Sequence, residues 1–211
     1  LKWWRDQFAV AESVQAADQG LNVYDLIVPS AQTSPRGSRG VLFHPFFAGQ
    51  VTPYYDATAR GAFLGLGLDH DRSCLVRALL EGCACEVRLM VDGMARDLRS
   101  GITELRVTGG GTRSRPFMQI HADVLRRPLV MLRYKECTVL GAAMLGAVGS
   151  GFFPDIHRAV DAMVTIDHTI DPDEKTAALY QDLFGIFREA YESNARSGVY
   201  RSIYEFQQRY F

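Results

Sequence analysis

The residues of this chain whose types and spacing could do chemistry are, first, three glycines. Gly109-Gly110-Gly111-Thr112 follows the strand-like Glu104-Leu105-Arg106-Val107-Thr108 and precedes Ser114. Ser114 suits the cap of a helix that carries Phe117, Ile120, Val124 and Leu125 on one face, and Pro116 fits its first turn, where the missing N–H is not needed. A strand feeding glycines into a helix start sets unpaired backbone N–H groups and the positive end of a helix dipole beside a surface that no side chain obstructs. That is a seat for a nucleotide or another flat anionic ligand; the same run also serves as a plain tight connection. A dinucleotide fingerprint would need Gly-x-Gly-x-x-Gly with an acidic residue about 20 positions on. Here Ser114 stands at the third glycine position and the strand follows two helices instead of opening the fold, which disfavours nicotinamide binding.

Other reactive residues read as structural. The cysteines are Cys74, Cys83, Cys85 and Cys137; Cys83 and Cys85 lie in a helical pattern that turns them to different faces, and no second pair or nearby His completes a zinc set. All four read as reduced core thiols and no metal ligands are assigned. His44, inside the apolar run Val41-Leu42-Phe43-His44-Pro45-Phe46, reads as a satisfied core histidine. Asp56, Asp69, Asp71 and Asp123 read as turn, cap or surface carboxylates, so no catalytic residue is assigned in this chain. Arg113, Arg115, Arg126, Arg127 and Arg133 read as a solvated helix face in preference to a phosphate site.

Around these residues the composition describes a protein with a core. Of 211 residues, 47% are hydrophobic and 11% aromatic, which excludes disorder. Lys and Arg number 23 against 24 Asp and Glu, a balance that offers no footprint for nucleic acid or an anionic membrane. No signal peptide is evident, and the longest apolar run, Val139 to Gly149, is too short to span a bilayer, so a cytoplasmic protein is expected.

The elements that must position the glycine loop follow from periodicity. Trp3, Trp4, Phe8, Val10, Ala11, Val14 and Ala17 predict one helix over residues 1–18, ended by Asp18-Gln19-Gly20. It opens at Leu1 without a cap, which reads as a cut. Pro29 to Gly40 is polar and aperiodic, hence an exposed loop; Val41 to Phe46 is a strand buried on both faces, and Gly49 to Leu66 irregular chain with short strands. Asp71 or Ser73 caps a long helix reaching about Leu98, whose Gly82 and Gly93 suggest close packing against a neighbour. Pro128 to Arg133 is a strand, Thr138 to Gly149 a helix apolar on every side and so buried, and Ile156 to Val164 an amphipathic helix. Asp171-Pro172-Asp173 begins the last long helix, which Ser197-Gly198 interrupts before the aromatic tail Val199 to Phe211. Tyr54-Tyr55 and the tail read as packing, with a subunit interface as the tail's alternative. Strands and helices alternate, and the class is α/β.

Five stretches, in order, resemble the FGGY-family carbohydrate kinases: Pro45 to Leu66, Arg77-Ala78-Leu79-Leu80-Glu81-Gly82, Val107 to Ser114, Gln119 to Leu125, and Leu140-Gly141-Ala142-Ala143. Cys74 departs from the pattern, standing where the family usually has a polar residue. The resemblance covers residues 1–165 well and the C-terminal helices loosely. It implies one lobe of a two-lobed, ribonuclease-H-like or actin-like fold: residues 1–165 as a C-terminal ATP-binding lobe missing its first strands, and residues 166–211 as a helical extension packing on it.

The same resemblance implies transfer of the γ-phosphoryl of Mg·ATP to a sugar hydroxyl, the sugar being a pentulose of the xylulose or ribulose type. ATP and Mg2+ are thereby the expected cofactors. Gly109, Gly110 and Gly111 would pass close to the nucleotide, Ser114 would bond near the adenine or ribose, and Lys2 would lie near the ribose. The catalytic base and most sugar contacts are expected in an N-terminal lobe, so these residues alone are expected to be inactive. The expected partner is a small sugar, with a second copy as a further candidate. The rival readings are a non-catalytic nucleotide-sensing or scaffold domain of the same fold, and a nicotinamide-binding oxidoreductase domain.

Overall fold

The structure, a computed structural model, describes residues 1–98 and 101–211. Its spine is α4 (Arg72–Asp97), against which α3 (Tyr24–Ser30), α5 (Arg115–Leu125), α8 (Ala177–Ser197) and β1 (Leu42–His44) all pack. Asp71, not Ser73, caps α4: its Oδ1 accepts the Cys74 N–H at 3.0 Å and the Ser73 hydroxyl at 2.6 Å. Gly82 is required on this helix, because a Cβ there would lie 2.1 Å from the Phe43 carbonyl oxygen. The backbone of β1 thus lies directly on α4. Gly93 meets only ordinary contact with Pro53.

Two small sheets flank the spine. β1 pairs antiparallel with β2 (Ala62–Leu64), and all three of its residues are buried. In the second sheet β3 (Leu105–Val107) runs parallel to β4 (Leu129–Leu132), with Leu105 opposite Leu129 and Val107 opposite Met131; the glycine turn and α5 form the crossover. β5 (Ile166–Ile170) adds to β4 antiparallel, with Leu129 opposite Ile170. The strand at 166–170 was not expected from periodicity: Ile166 to Thr169 are exposed and only Ile170 faces the core, so no alternation marks it.

Three further expectations are corrected. The helix over residues 1–18 breaks at Ala9, whose φ of −122° and ψ of 42° are not helical, into α1 (Lys2–Phe8) and α2 (Val10–Gln19). Trp4, Ala9 and Ala16 are buried while Val10 and Val14 are exposed, so the two halves do not share one buried stripe. The segment 29–40 is no exposed loop: α3 ends within it, two helical turns follow, and Ser34 and Ser38 are buried. The helix expected to be buried at 138–149, α6 (Cys137–Gly149), buries only Met144, leaving Val139 and Leu145 more than 60% exposed. Composition reports that a helix is apolar, not what covers it.

Segment 29–40 is held by a buried charge. Glu81 accepts from Arg77 Nε at 2.8 Å, the Gly37 N–H at 2.9 Å, the Ser38 hydroxyl at 2.7 Å and the Tyr180 hydroxyl at 2.9 Å. Arg77 also donates to Tyr180 Oη at 3.0 Å and to the Ala31 carbonyl at 3.3 Å. One ion pair thereby ties α4, segment 29–40 and α8 together, with its lone pairs and protons met by neighbours.

His44 is the core histidine expected of it. Its Nε2–H donates to the Phe187 carbonyl at 2.9 Å, which leaves Nδ1 to accept from the Tyr200 hydroxyl at 3.3 Å. Burial holds His44 below the usual histidine range, and the same is true of His121. Burial disfavours their charged forms in the fold, whereas unfolded histidines take up protons near pH 6.5. Their contribution is therefore complete above that pH and is lost as pH falls through it, by at most about 1.4 kcal/mol per unit for each group. The urea midpoint should fall between pH 7.5 and 5.5, and His44→Gln should flatten the slope; an unchanged slope in the variant would show that His44 is not neutral in the core. Among the cysteines, Cys74 and Cys85 are buried, while Cys83 and Cys137 are half-buried; all are free thiols, and burial pushes Cys83 up to about 11.

The C-terminal helices α7 (Ile156–Met163), α8 and α9 (Val199–Tyr210) complete the chain. Asp173 accepts the Lys175 N–H at 3.1 Å in a turn ahead of α8, and the stripe Tyr180, Leu183, Phe184, Phe187 and Tyr191 is buried. Asp123, read as a cap or surface group, is buried and accepts from Gln119 Nε2 and the Asp173 N–H, which fastens α5 to the approach of α8. No helix among the described residues is long and apolar enough to cross a membrane.

Candidate functional site

The glycine turn is held by three hydrogen bonds. Gly109 has a φ of 93°, a left-handed conformation that a side chain would strain, and its N–H donates to the Lys135 carbonyl at 3.0 Å. Thr112, buried, returns to the Gly109 carbonyl through its N–H at 3.1 Å and its hydroxyl at 2.6 Å, closing the helical turn Gly110–Arg113. Ser114 then opens α5, its Oγ accepting the Phe117 N–H at 3.4 Å. The cap expected at Ser114 is in place, and its hydroxyl proton is left to donate elsewhere.

The turn looks into a cleft of about 510 Å³. Gly110, Gly111, Arg113, Ser114 and Phe117 line one side; Leu1, Asn22 and the α3 residues Tyr24, Asp25 and Val28 line the other. At Gly110 a Cβ would meet nothing within 4 Å, and at Gly111 it would meet Phe117 at 3.3 Å. The backbone is therefore bare toward the cleft at Gly110. The volume falls in the range of small-molecule sites, about 300–1,000 Å³, and the first N–H groups of a helical turn have no partner within it.

Of the residues singled out in the sequence, the structure brings Gly110, Gly111 and Ser114 to one wall. Gly109 does not line the cleft; it fastens the turn from behind. Lys2 is exposed at the first position of α1 beside the lining residue Leu1. The α3 wall was missed in the sequence, although Asn22, whose Oδ1 accepts the Tyr24 N–H at 3.0 Å, and the following Val23, Leu26 and Ile27 carry a helix-start signal. Arg113 is exposed and pairs with Glu136 at 3.6 Å, while Lys135 Nζ donates to the Thr112 carbonyl at 3.4 Å.

A second cleft of similar size, about 520 Å³, lies between the C-terminal part of α4 and α8, lined by Asp92, Arg96, Arg188 and Glu192 among others. Its charges balance and it has no bare backbone or helix start, so the glycine cleft is the candidate. Among the described residues no group of three or more His, Cys, Asp or Glu could hold a metal ion.

A parallel strand pair whose crossover opens with a bare glycine turn at a helix start, on a helix-rich α/β body, accords with a lobe of the actin-like fold. The particular family is shown by comparison. The profile of the FGGY family of carbohydrate kinases, C-terminal domain, matches residues 1–150, and the chain belongs to that family. The gluconokinase of Bacillus subtilis (strain 168) is 33% identical over 187 residues, 89% of this chain but 36% of that protein. The crystal structure of ligand-bound xylulose kinase from Lactobacillus acidophilus superposes with a TM-score of 0.77 at 27% identity, covering 92% of this chain and 37% of that one. Plasmodium falciparum glycerol kinase with ADP superposes at 0.67 and 25% identity over 84% of this chain and 36% of the other. The chain thus spans a little over a third of the length of the proteins it matches.

Proposed function

We propose that these residues form the ATP-binding part of a carbohydrate kinase that moves the γ-phosphoryl of ATP to a sugar hydroxyl, a pentulose of the xylulose or ribulose type. The observation that carries the reading is the bare backbone at Gly110 opening onto the 510 Å³ cleft beside the start of α5. Gly110 and Gly111 would hold the nucleotide by backbone contact, the Ser114 hydroxyl would donate to the adenine or ribose, and Gly109 would keep the turn in shape; Lys2 would sit near the ribose. Mg2+ supplies charge neutralisation at the phosphates when bound; its protein ligands and the carboxylate that accepts the sugar proton would come from a preceding lobe. Residues 1–165 then constitute the lobe and 166–211 an extension, whose first residues, β5, join the lobe's own sheet. Free thiols accord with a cytoplasmic location, where ATP is available.

Among the relatives, similarity to kinases named for xylulose, gluconate and glycerol makes the sugar the point to test. The complete enzyme, assayed for sugar-dependent ATP consumption against xylulose, ribulose, gluconate and glycerol, should turn over a pentulose fastest. Turnover of glycerol or gluconate alone would refute the pentulose reading. ATP binding without turnover of any sugar would replace the kinase reading by that of a nucleotide sensor. The 211 residues alone should consume no ATP with any of the four.

A further inference from the structure

The residues lining the glycine cleft include two charged side chains, and these stand on opposite walls. Arg113 belongs to the glycine turn and Asp25 to α3. Between them the lining is apolar or neutral, with Leu1, Val28 and Phe117, the Ser114 hydroxyl and the bare backbone of Gly110. An anionic group entering the cleft is drawn toward Arg113 and the N–H groups of the turn, and repelled from Asp25. A nucleotide carries its charge on its phosphates. Its uncharged half, base and ribose, is therefore the half that can approach α3.

On that wall the other polar groups are already engaged. Asn22 Oδ1 accepts the Tyr24 N–H at 3.0 Å, and the Tyr24 ring lies beneath the Arg5 guanidinium, 6.0 Å from its centroid. Val28 is buried and apolar. Asp25 is held in place through its backbone, whose N–H donates to the Asn22 carbonyl at 2.8 Å. Its carboxylate is exposed and has no hydrogen-bond or ion-pair partner among the described residues. α3 packs on both α4 and α5, which fixes the position of Asp25 relative to the glycine turn at the start of α5.

An ionised carboxylate only accepts hydrogen bonds. What it can take from the uncharged half of a nucleotide is an N–H or an O–H, supplied by the adenine 6-amino group or a ribose hydroxyl. We propose that Asp25 is a specificity-determining residue of the cleft, accepting a hydrogen bond from such a donor of the nucleoside, while Arg113 opposite sets which end of the ligand faces which wall. The inference rests on the reading of the glycine cleft as the ATP site. A site that bonds a substrate O–H or N–H rejects the analogue without it, so the group that Asp25 reads is found by removing the donor.

Calorimetric titration of the complete enzyme with ATP, 2′-deoxy-ATP, 3′-deoxy-ATP and purine riboside triphosphate, which lacks the 6-amino group, tests it. The parent should bind one of the analogues about tenfold or more weaker than ATP. Loss with a deoxy analogue assigns the donor to the ribose, and loss with the purine analogue assigns it to the base. Asp25→Ala, at an exposed position, should keep the parent's melting temperature, bind ATP about tenfold weaker and lose the discrimination against that same analogue. Asp25→Asn keeps an acceptor oxygen without the charge and should fall between. Equal binding of all four nucleotides by the parent, ATP bound by Asp25→Ala as tightly as by the parent or more so, or discrimination that survives the substitution would overturn the proposal. Gly110→Val separates that failure from failure of the site. If it weakens ATP binding while Asp25→Ala does not, the cleft keeps its nucleotide and only Asp25 loses its role; if neither does, both readings fall.

Discussion

Gly110→Val in the complete enzyme will weaken ATP binding by about tenfold or more, equivalent to about 1.4 kcal/mol, and will leave the fold intact. Both halves of that expectation come from one observation. Beyond its chain neighbours, no atom lies within 4 Å of where a Cβ would sit at Gly110, and the space it enters belongs to the cleft. Its backbone is also outside the left-handed region, which Gly109, with a φ of 93°, is not. Gly109→Val therefore serves as the contrast: it should lower the melting temperature as well as the affinity, because the turn itself is strained. Calorimetric titration with ATP checks the pair, and an affinity unchanged by Gly110→Val would remove the glycine turn from the nucleotide site.

Glu81→Ala will destabilise the chain by about 3–5 kcal/mol, the usual loss when one partner of a buried ion pair is removed. The loss arises from what remains. Arg77, of which 9% of the side chain is exposed, would keep its charge in the core without its carboxylate, and the Gly37 N–H and the Ser38 and Tyr180 hydroxyls would lose the same acceptor. Glu81→Gln keeps the shape and one acceptor oxygen and should lose less. Urea unfolding of the parent and the two variants orders them; equal midpoints for Glu81→Ala and the parent would show that solvent reaches Arg77.

This network also marks where sequence reading stopped. Segment 29–40 looked exposed because its Ser, Gly and Pro residues are turn formers, yet its polar groups are spent on Glu81, which only the fold brings near. Local signals did better. The Asp71 and Ser114 caps depend on neighbours a few residues away, and the burial of Leu42 to His44 shows in a continuous apolar run although α4 and α8 provide it. The break at Ala9 has no Gly or Pro to announce it, and β5 hides because four of its five residues face solvent. At the site, the wall made by the glycine turn was legible and the α3 wall was not, since what puts Tyr24 and Asp25 opposite Gly110 is the packing of α3 on α4 and α5.

The exposed apolar surface of α6 has a colloidal consequence. Val139 and Leu145 on the helix, with Phe152 just beyond it, stand in water at 69%, 67% and 77% exposure. Exposed apolar side chains adhere to their like, and excluded salts such as sulfate strengthen the attraction. Produced by themselves, these 211 residues should salt out at lower sulfate than a Val139→Lys, Leu145→Lys variant, which turbidity checks.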